Sequence, residues 1–164
     1  MADEEQATNT EQPQQQFTVQ RIYTKDLSFE SPQTPGVFRE QWSPQVNVEL
    51  NTRSDRFDEE GNFEVVLVIT ITAKMNDKTA FLCEVHQAGV FMIRGFEGEN
   101  LRRILGTAAP NILFPYARET IDNIVVKGGF PALMLAPVNF EALYQQAQQQ
   151  AKGAAEEGGE AATH

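Results

Sequence analysis

The chain has 164 residues and an excess of acid, 23 Asp and Glu against 13 Lys and Arg, for a net charge of −10. That balance repels phosphate backbones and argues against nucleic acid as a main partner. A single cysteine, Cys83, excludes an internal disulfide framework.

Residues 1–16 (MADEEQATNTEQPQQQ) and 151–164 (AKGAAEEGGEAATH) hold no large apolar side chain after Met1, and they carry more than half of the excess negative charge. Such segments cannot bury enough surface to offset the entropy of ordering, so both read as disordered tails flanking a single domain over 17–150. The N-terminus has no basic and apolar leader, and no apolar run approaches the ~20 residues needed to span a bilayer. A soluble cytoplasmic protein without membrane insertion is the expectation.

The first predicted strand is Phe17–Phe29, containing YTKDLSFE. At the two-residue period of a strand, Tyr23, Lys25, Leu27 and Phe29 share one side, and Thr24, Asp26, Ser28 and Glu30 the other. Two carboxylates on one outer face exceed what solubility requires. Residues 31–44 (SPQTPGVFREQWSP) follow, where Pro32, Pro35 and Pro44 oppose helix or central strand. A long connection holding Val37, Phe38 and Trp42 is expected to cover a core edge or form part of a binding surface.

The second strand, Gln45–Asn51, alternates Val46, Val48 and Leu50 with polar residues, and 53–62 reads as a polar connection. The third, Phe63–Ala73, is β-branched and apolar on both faces, which suits a central position. Met75–Lys78 makes a tight turn into the fourth strand, about Thr79 to Ile93, with Gly89 as a bulge candidate. There the period shifts to 3.6. A first helix begins near Glu97 and Glu99 and ends at Gly106. A second spans about Asn111–Lys127, starting or kinking at Pro115 and stopped by Gly128-Gly129. A third, capped by Asn139, spans Phe140–Gln150. Strands first and helices last give an α+β fold, an antiparallel sheet with helices on one side.

Catalytic signals are sparse. No G-x-x-x-x-G-K-[ST] loop is present, and one cysteine with His86 and His164 makes no credible zinc site, so no cofactor or metal is expected. Cys83 reads as a packed thiol and His86 as an exposed or hydrogen-bonded strand residue. Gly95-Phe96-Glu97-Gly98 has the outline of a nucleotide-clamping GXXG loop, but Glu97 and Glu99 oppose phosphate and favour a simple turn into the helix.

Four runs in consistent order, YTKDLSFE, TAFLCEVHQAGVF (79–91), PNILFPYARE (110–119) and FPALMLAPVNFEALY (130–144), resemble the SecB family of bacterial protein-export chaperones. The resemblance implies a four-stranded antiparallel sheet with helices, assembled as a homotetramer that is a dimer of dimers, with the first helix joining the dimers. It implies an ATP-independent holdase that keeps precursor proteins unfolded and passes them to SecA, the translocation motor. Carried over residue by residue, it assigns Asp26, Glu30, Leu82 and Glu84 to the SecA-docking surface, which meets a basic, zinc-containing segment of SecA. For client binding, Phe38 and Trp42 in the crossover and Val46, Val48 and Leu50 on the second strand are candidates; filling the core is the competing role, evenly weighted for the strand residues. The third helix is expected to flank the groove. Two other readings stay open: a small enzyme with a carboxylate base, and a SecB-related adaptor serving another system such as a toxin–antitoxin pair.

Overall fold

A computed structural model describes residues 14–160, with side chains to residue 155. The expected tail of residues 1–16 falls almost wholly outside the described residues.

Four strands, β1 (Gln16–Glu30), β2 (Gln45–Arg56), β3 (Asn62–Met75) and β4 (Lys78–Arg94), form one antiparallel sheet in the order β1-β4-β3-β2. The β3–β4 hairpin turns through Asn76 and Asp77, both at positive φ, as the tight turns that match strand twist require. The two central strands are the two most buried, which accounts for the near-continuous apolar run of β3. Because β1 and β2 lie at opposite edges, residues 31–44 must cross one end of the sheet. They do so through a 3-10 turn at Gly36–Arg39, burying Val37 and seating Trp42 against Phe81 and Phe130, with ring centroids 6.2 and 5.2 Å apart.

One face of the sheet holds the core. Phe63, Val65, Leu67, Ile69 and Ile71 of β3 and Phe81, Cys83, Val85 and Phe91 of β4 are joined there by helical side chains. The helices are α1 (Gly98–Gly106), α2 (Ala108–Lys127) and α3 (Phe140–Glu160). Helix α2 presents Ala109, Leu113, Ala117, Ile121 and Val125 at four-residue spacing, all fully buried. Leu113, Ile121 and Val125 each contribute about 1.5–3 kcal/mol through that burial. Gly89 lies under this helix: a β carbon there would meet Phe91 at 2.7 Å and Leu113 at 3.0 Å. Close approach, and not a bulge, explains this glycine.

Several boundaries differ from the sequence reading. The ladders are irregular not at Gly89 but at Ala80 of β4, opposite Ala73 and Lys74, and at two places in β1, between Val19 and Arg21 and between Thr24 and Asp26. The last of these skips Lys25 and breaks strict alternation, so Tyr23 pairs with Ala88 on the bare face and no longer groups with Leu27 and Phe29. Strand β2 continues through Arg56 on backbone pairing after its apolar alternation ends at Leu50, and the Arg56 guanidinium lies over the Phe63 ring at 4.9 Å. Helix α2 starts at Ala108 and runs through Pro115, whose solvent-facing position leaves the freed carbonyl open to water. Helix α3 reaches Glu160, beyond the expected end at Gln150 and into the segment read as a tail. Its start is as expected, with Asn139 Oδ1 accepting from the Ala142 amide at 3.0 Å.

Candidate functional site: two opposite surfaces of one sheet

Among the described residues, no helix packs on the other face of the sheet. On it β1 and β4 align three consecutive cross-strand pairs, Asp26 with His86, Ser28 with Glu84, and Glu30 with Leu82. The four residues assigned to docking thus come together on one face of two neighbouring strands. Asp26 and Glu30 are exposed, and Leu82 and Glu84 are half-buried. Four strand steps separate Asp26 from Glu30, about 13 Å, a spacing that suits a charged patch and not a pair of catalytic carboxylates. Phe81, Cys83 and Val85, between these positions, are fully buried on the other side. Burial pushes the Cys83 thiol up to about 11, as an inert packed cysteine requires.

The patch is more ordered than its composition suggests. Glu84 accepts from His86 Nε2 at 2.7 Å through one oxygen and from Thr70 Oγ1 at 3.0 Å through the other. These bonds, the one from His86 first, hold its carboxyl below the usual carboxylate range. Asp26 Oδ1 accepts from the Leu27 amide at 2.9 Å, fixing its direction. Farther along the face, Lys25 bonds both oxygens of Glu64 at 2.8 Å and Tyr23 donates its hydroxyl to the same carboxylate. Burial first, then that hydrogen bond, push the Tyr23 phenol up to about 12. Val66 and Ala88 lie beneath these side chains, buried but outside the main core. The sequence reading missed Thr70 and Glu64 and left His86 without a role, although the i, i+2 spacing of Glu84 and His86 already placed both on one face.

The client-binding candidates occupy the other side and the β2 edge. Phe38 is 52% exposed, Val46 40% and Val48 38%. Val46, Val48 and Leu50 pair with Ala73, Ile71 and Ile69, which places them on the helix-bearing face. Trp42 and Phe38 converge on Phe130, which also meets Phe29 and Phe81. Trp42 is therefore half in the core, whereas Phe38 keeps an open face.

Beside β2 runs a groove of about 460 Å³ lined by Leu50, Thr52, Leu105, Phe140 and Tyr144 among others. Its far wall is α3, held on α1 by Tyr144 and Gln148 donating to Glu99 and by an Arg103–Glu141 ion pair at 2.8 Å. Tyr144 first, then Arg102 and Gln148, hold the Glu99 carboxyl down at about 2. Gly106 makes room for the Tyr144 ring, which would meet a β carbon at 2.8 Å. Among the described residues no group of three or more metal-binding side chains assembles, and no helix is long and apolar enough to cross a membrane.

Known proteins share this sequence and this fold. The family model described as preprotein translocase subunit SecB matches residues 10–151. A protein-export protein SecB of Marinobacter nauticus is 57% identical over 162 residues, covering 96% of this chain and 98% of its own. That of Hahella chejuensis is 59% identical over 150 residues, covering 90% and 94%. Among solved structures, a SecB-like chaperone of Mycobacterium tuberculosis, in complex with an antitoxin peptide, superposes with a TM-score of 0.61 over 74% of this chain and 87% of that one. At 15% identity that likeness speaks for the fold, while the sequence matches speak for the family. The chain belongs to the SecB family of protein-export proteins.

Proposed function

We propose that the protein is an ATP-independent holdase that keeps precursor proteins unfolded in the cytoplasm and delivers them to SecA. The observation that carries this reading is the division of labour across one sheet. An acidic patch occupies the bare face, while exposed apolar side chains and a groove lie on the other face and at the outer β2 edge. A client and a motor can then be held together without competing for the same residues. Membership of a protein-export family supports it.

Client binding rests on Phe38, Trp42, Val46, Val48 and Leu50. Apolar contacts with little shape specificity accept many sequences, and the outer edge of β2, which pairs with no other strand among the described residues, offers backbone hydrogen bonds to an extended segment. Assembly as a homotetramer, a dimer of dimers, would place several such surfaces along one unfolded chain and add avidity. Asp26, Glu30 and Glu84 would steer a basic segment of SecA, with Leu82 adding apolar contact.

Replacing Asp26 and Glu30 by alanine tests the docking half. The double variant is expected to hold an unfolded, slow-folding precursor as the parent does and to lose SecA binding. Unchanged SecA affinity at physiological salt would refute the docking assignment. Equal affinity for folded and unfolded forms of the precursor would refute the holdase.

A further inference from the structure

We propose that Asp122 is a positioning residue for client binding: its carboxylate clasps the loop that carries α3 and so sets the far wall of the groove beside β2. The inference rests on the holdase reading above and deepens it, by naming a residue that shapes the client surface without lining it.

Residues 131–139 run from Phe130 to the start of α3 without regular structure. Leu133, Leu135 and Val138 pack against the core. Among the described residues, however, only two side chains hydrogen-bond the backbone of 131–138, and both belong to α2. Asp122 Oδ1 accepts from the Leu133 amide at 3.0 Å and from the Met134 amide at 3.2 Å. Arg118, one turn earlier, donates to the Leu135 carbonyl at 3.4 Å, and its guanidinium lies over the Phe114 ring at 5.9 Å. Phe114 in turn meets Phe140, the first residue of α3, at 6.1 Å. One side of α2 thus grips the loop and, through Phe114, the helix that follows it.

Met134 shows what the clasp does. Its φ of 49° lies in the left-handed region, which side chains with a β carbon rarely adopt. Its side chain is 78% exposed, so packing does not hold it there. Two successive amides turned toward one carboxylate do, as around an anion in a backbone nest, and such a conformation persists only while its surroundings impose it. Without Asp122 the loop relaxes, and the loop sets where α3 begins. Phe140, Leu143 and Tyr144 of α3 line the groove that Leu50 and Thr52 line from β2. The ties from α1, Arg103 to Glu141 and Glu99 to Tyr144, are exposed and individually weak. A client that needs the assembled groove binds in proportion to the fraction of molecules in which it is assembled.

The test is the dissociation constant of an unfolded, slow-folding precursor for the parent chain, Asp122→Asn and Asp122→Ala, under conditions where urea titration shows all three fully folded. Asparagine keeps an oxygen able to accept from both amides. Asp122→Asn is therefore expected within about two-fold of the parent and Asp122→Ala about five- to ten-fold weaker, as the loss of two hydrogen bonds to one carboxylate allows. In Asp122→Ala the amides of α3 are expected to exchange faster, while Trp42 emission and the molar mass by light scattering stay those of the parent. Unchanged client affinity in Asp122→Ala, with the parent still preferring the unfolded precursor to the folded one, would overturn the clasp and leave the holdase standing. Weaker binding accompanied by a changed molar mass would place Asp122 in assembly and would also overturn it. Equal affinity of the parent for both forms of the precursor would overturn clasp and holdase together.

Discussion

Phe130 ties the crossover to the core, and its removal has a calculable cost and a direct optical readout. Its ring is 4% exposed and lies 5.0 Å from Phe81, 5.2 Å from Trp42, 5.3 Å from Phe38 and 6.4 Å from Phe29. Truncating a buried Phe to Ala costs about 3–5 kcal/mol, through lost transfer free energy and the cavity left behind. Here Phe38 is half exposed and can fold inward, which reduces the residual cavity, so Phe130→Ala is expected near the low end, about 3 kcal/mol. At a urea slope of roughly 1–3 kcal/mol per molar, the unfolding midpoint falls by about 1–3 M at fixed protein concentration. Trp42 is the sole tryptophan, so its emission reports the cluster without labelling. In the folded baseline, Phe130→Ala is expected to shift that emission to the red as water reaches the indole. Phe130→Leu, which keeps most of the volume, is expected to lose less than about 1.5 kcal/mol. Phe114→Ala, removing a ring paired with Phe140 at 6.1 Å, should destabilise without moving the emission. A Phe130→Ala protein with unshifted emission and a loss under about 1 kcal/mol would refute the claim that this residue anchors the crossover.

Gly89→Ala is expected to lose about 1–3 kcal/mol, because Phe91 and Leu113 are fully buried on either side of the new methyl group; equilibrium unfolding that shows no loss would mean α2 can lift freely. The Glu99 carboxyl, held at about 2 against an ordinary 4.5, favours the docked α3 above pH 4.5, and that contribution is lost as pH falls toward 2. Hydrogen exchange in α3 should therefore accelerate across that interval in the parent chain, and Glu99→Gln should remove the dependence. Cys83, buried and with its thiol raised to about 11, is expected to resist alkylation at pH 8 until the chain unfolds; rapid labelling of the folded protein would contradict its placement.

Elements whose order is enforced by burial were legible in the sequence. Strand β3 is apolar because its core face is fully buried and neighbouring strands shield Val66 and Val68 on the other, and Phe81, Cys83 and Val85 alternate with Leu82 and Glu84 because one face is core and the other open. The patch was legible in part for the same reason, since period two placed Asp26 with Glu30 and Leu82 with Glu84. What stayed hidden depends on backbone pairing or distant partners. The irregularity at Lys25 has no hydropathy signature: Gln87 Nε2, far along the chain, donates to the Tyr23 carbonyl at 3.0 Å beside it. The end of β2 is held by backbone pairing that leaves no pattern in NTRSDR. The far part of α3 is rich in Ala, Gln and Glu and lacks apolar anchors, so its composition resembles a tail. The role of Glu99 required knowing that α3 folds back onto α1.

The strand order also sets when the acidic patch can come into being. As the chain emerges from synthesis, β2, β3 and β4 can close as successive neighbours, but β1 must wait for β4, made long after it. This pairing closes the longest loop in the sheet and carries the largest entropic cost of the three ladders. Asp26 and Glu30 join Leu82 and Glu84 only at that step. A nascent or partly opened copy therefore lacks the complete surface proposed for docking, and a partner that required all four residues would be confined to finished molecules.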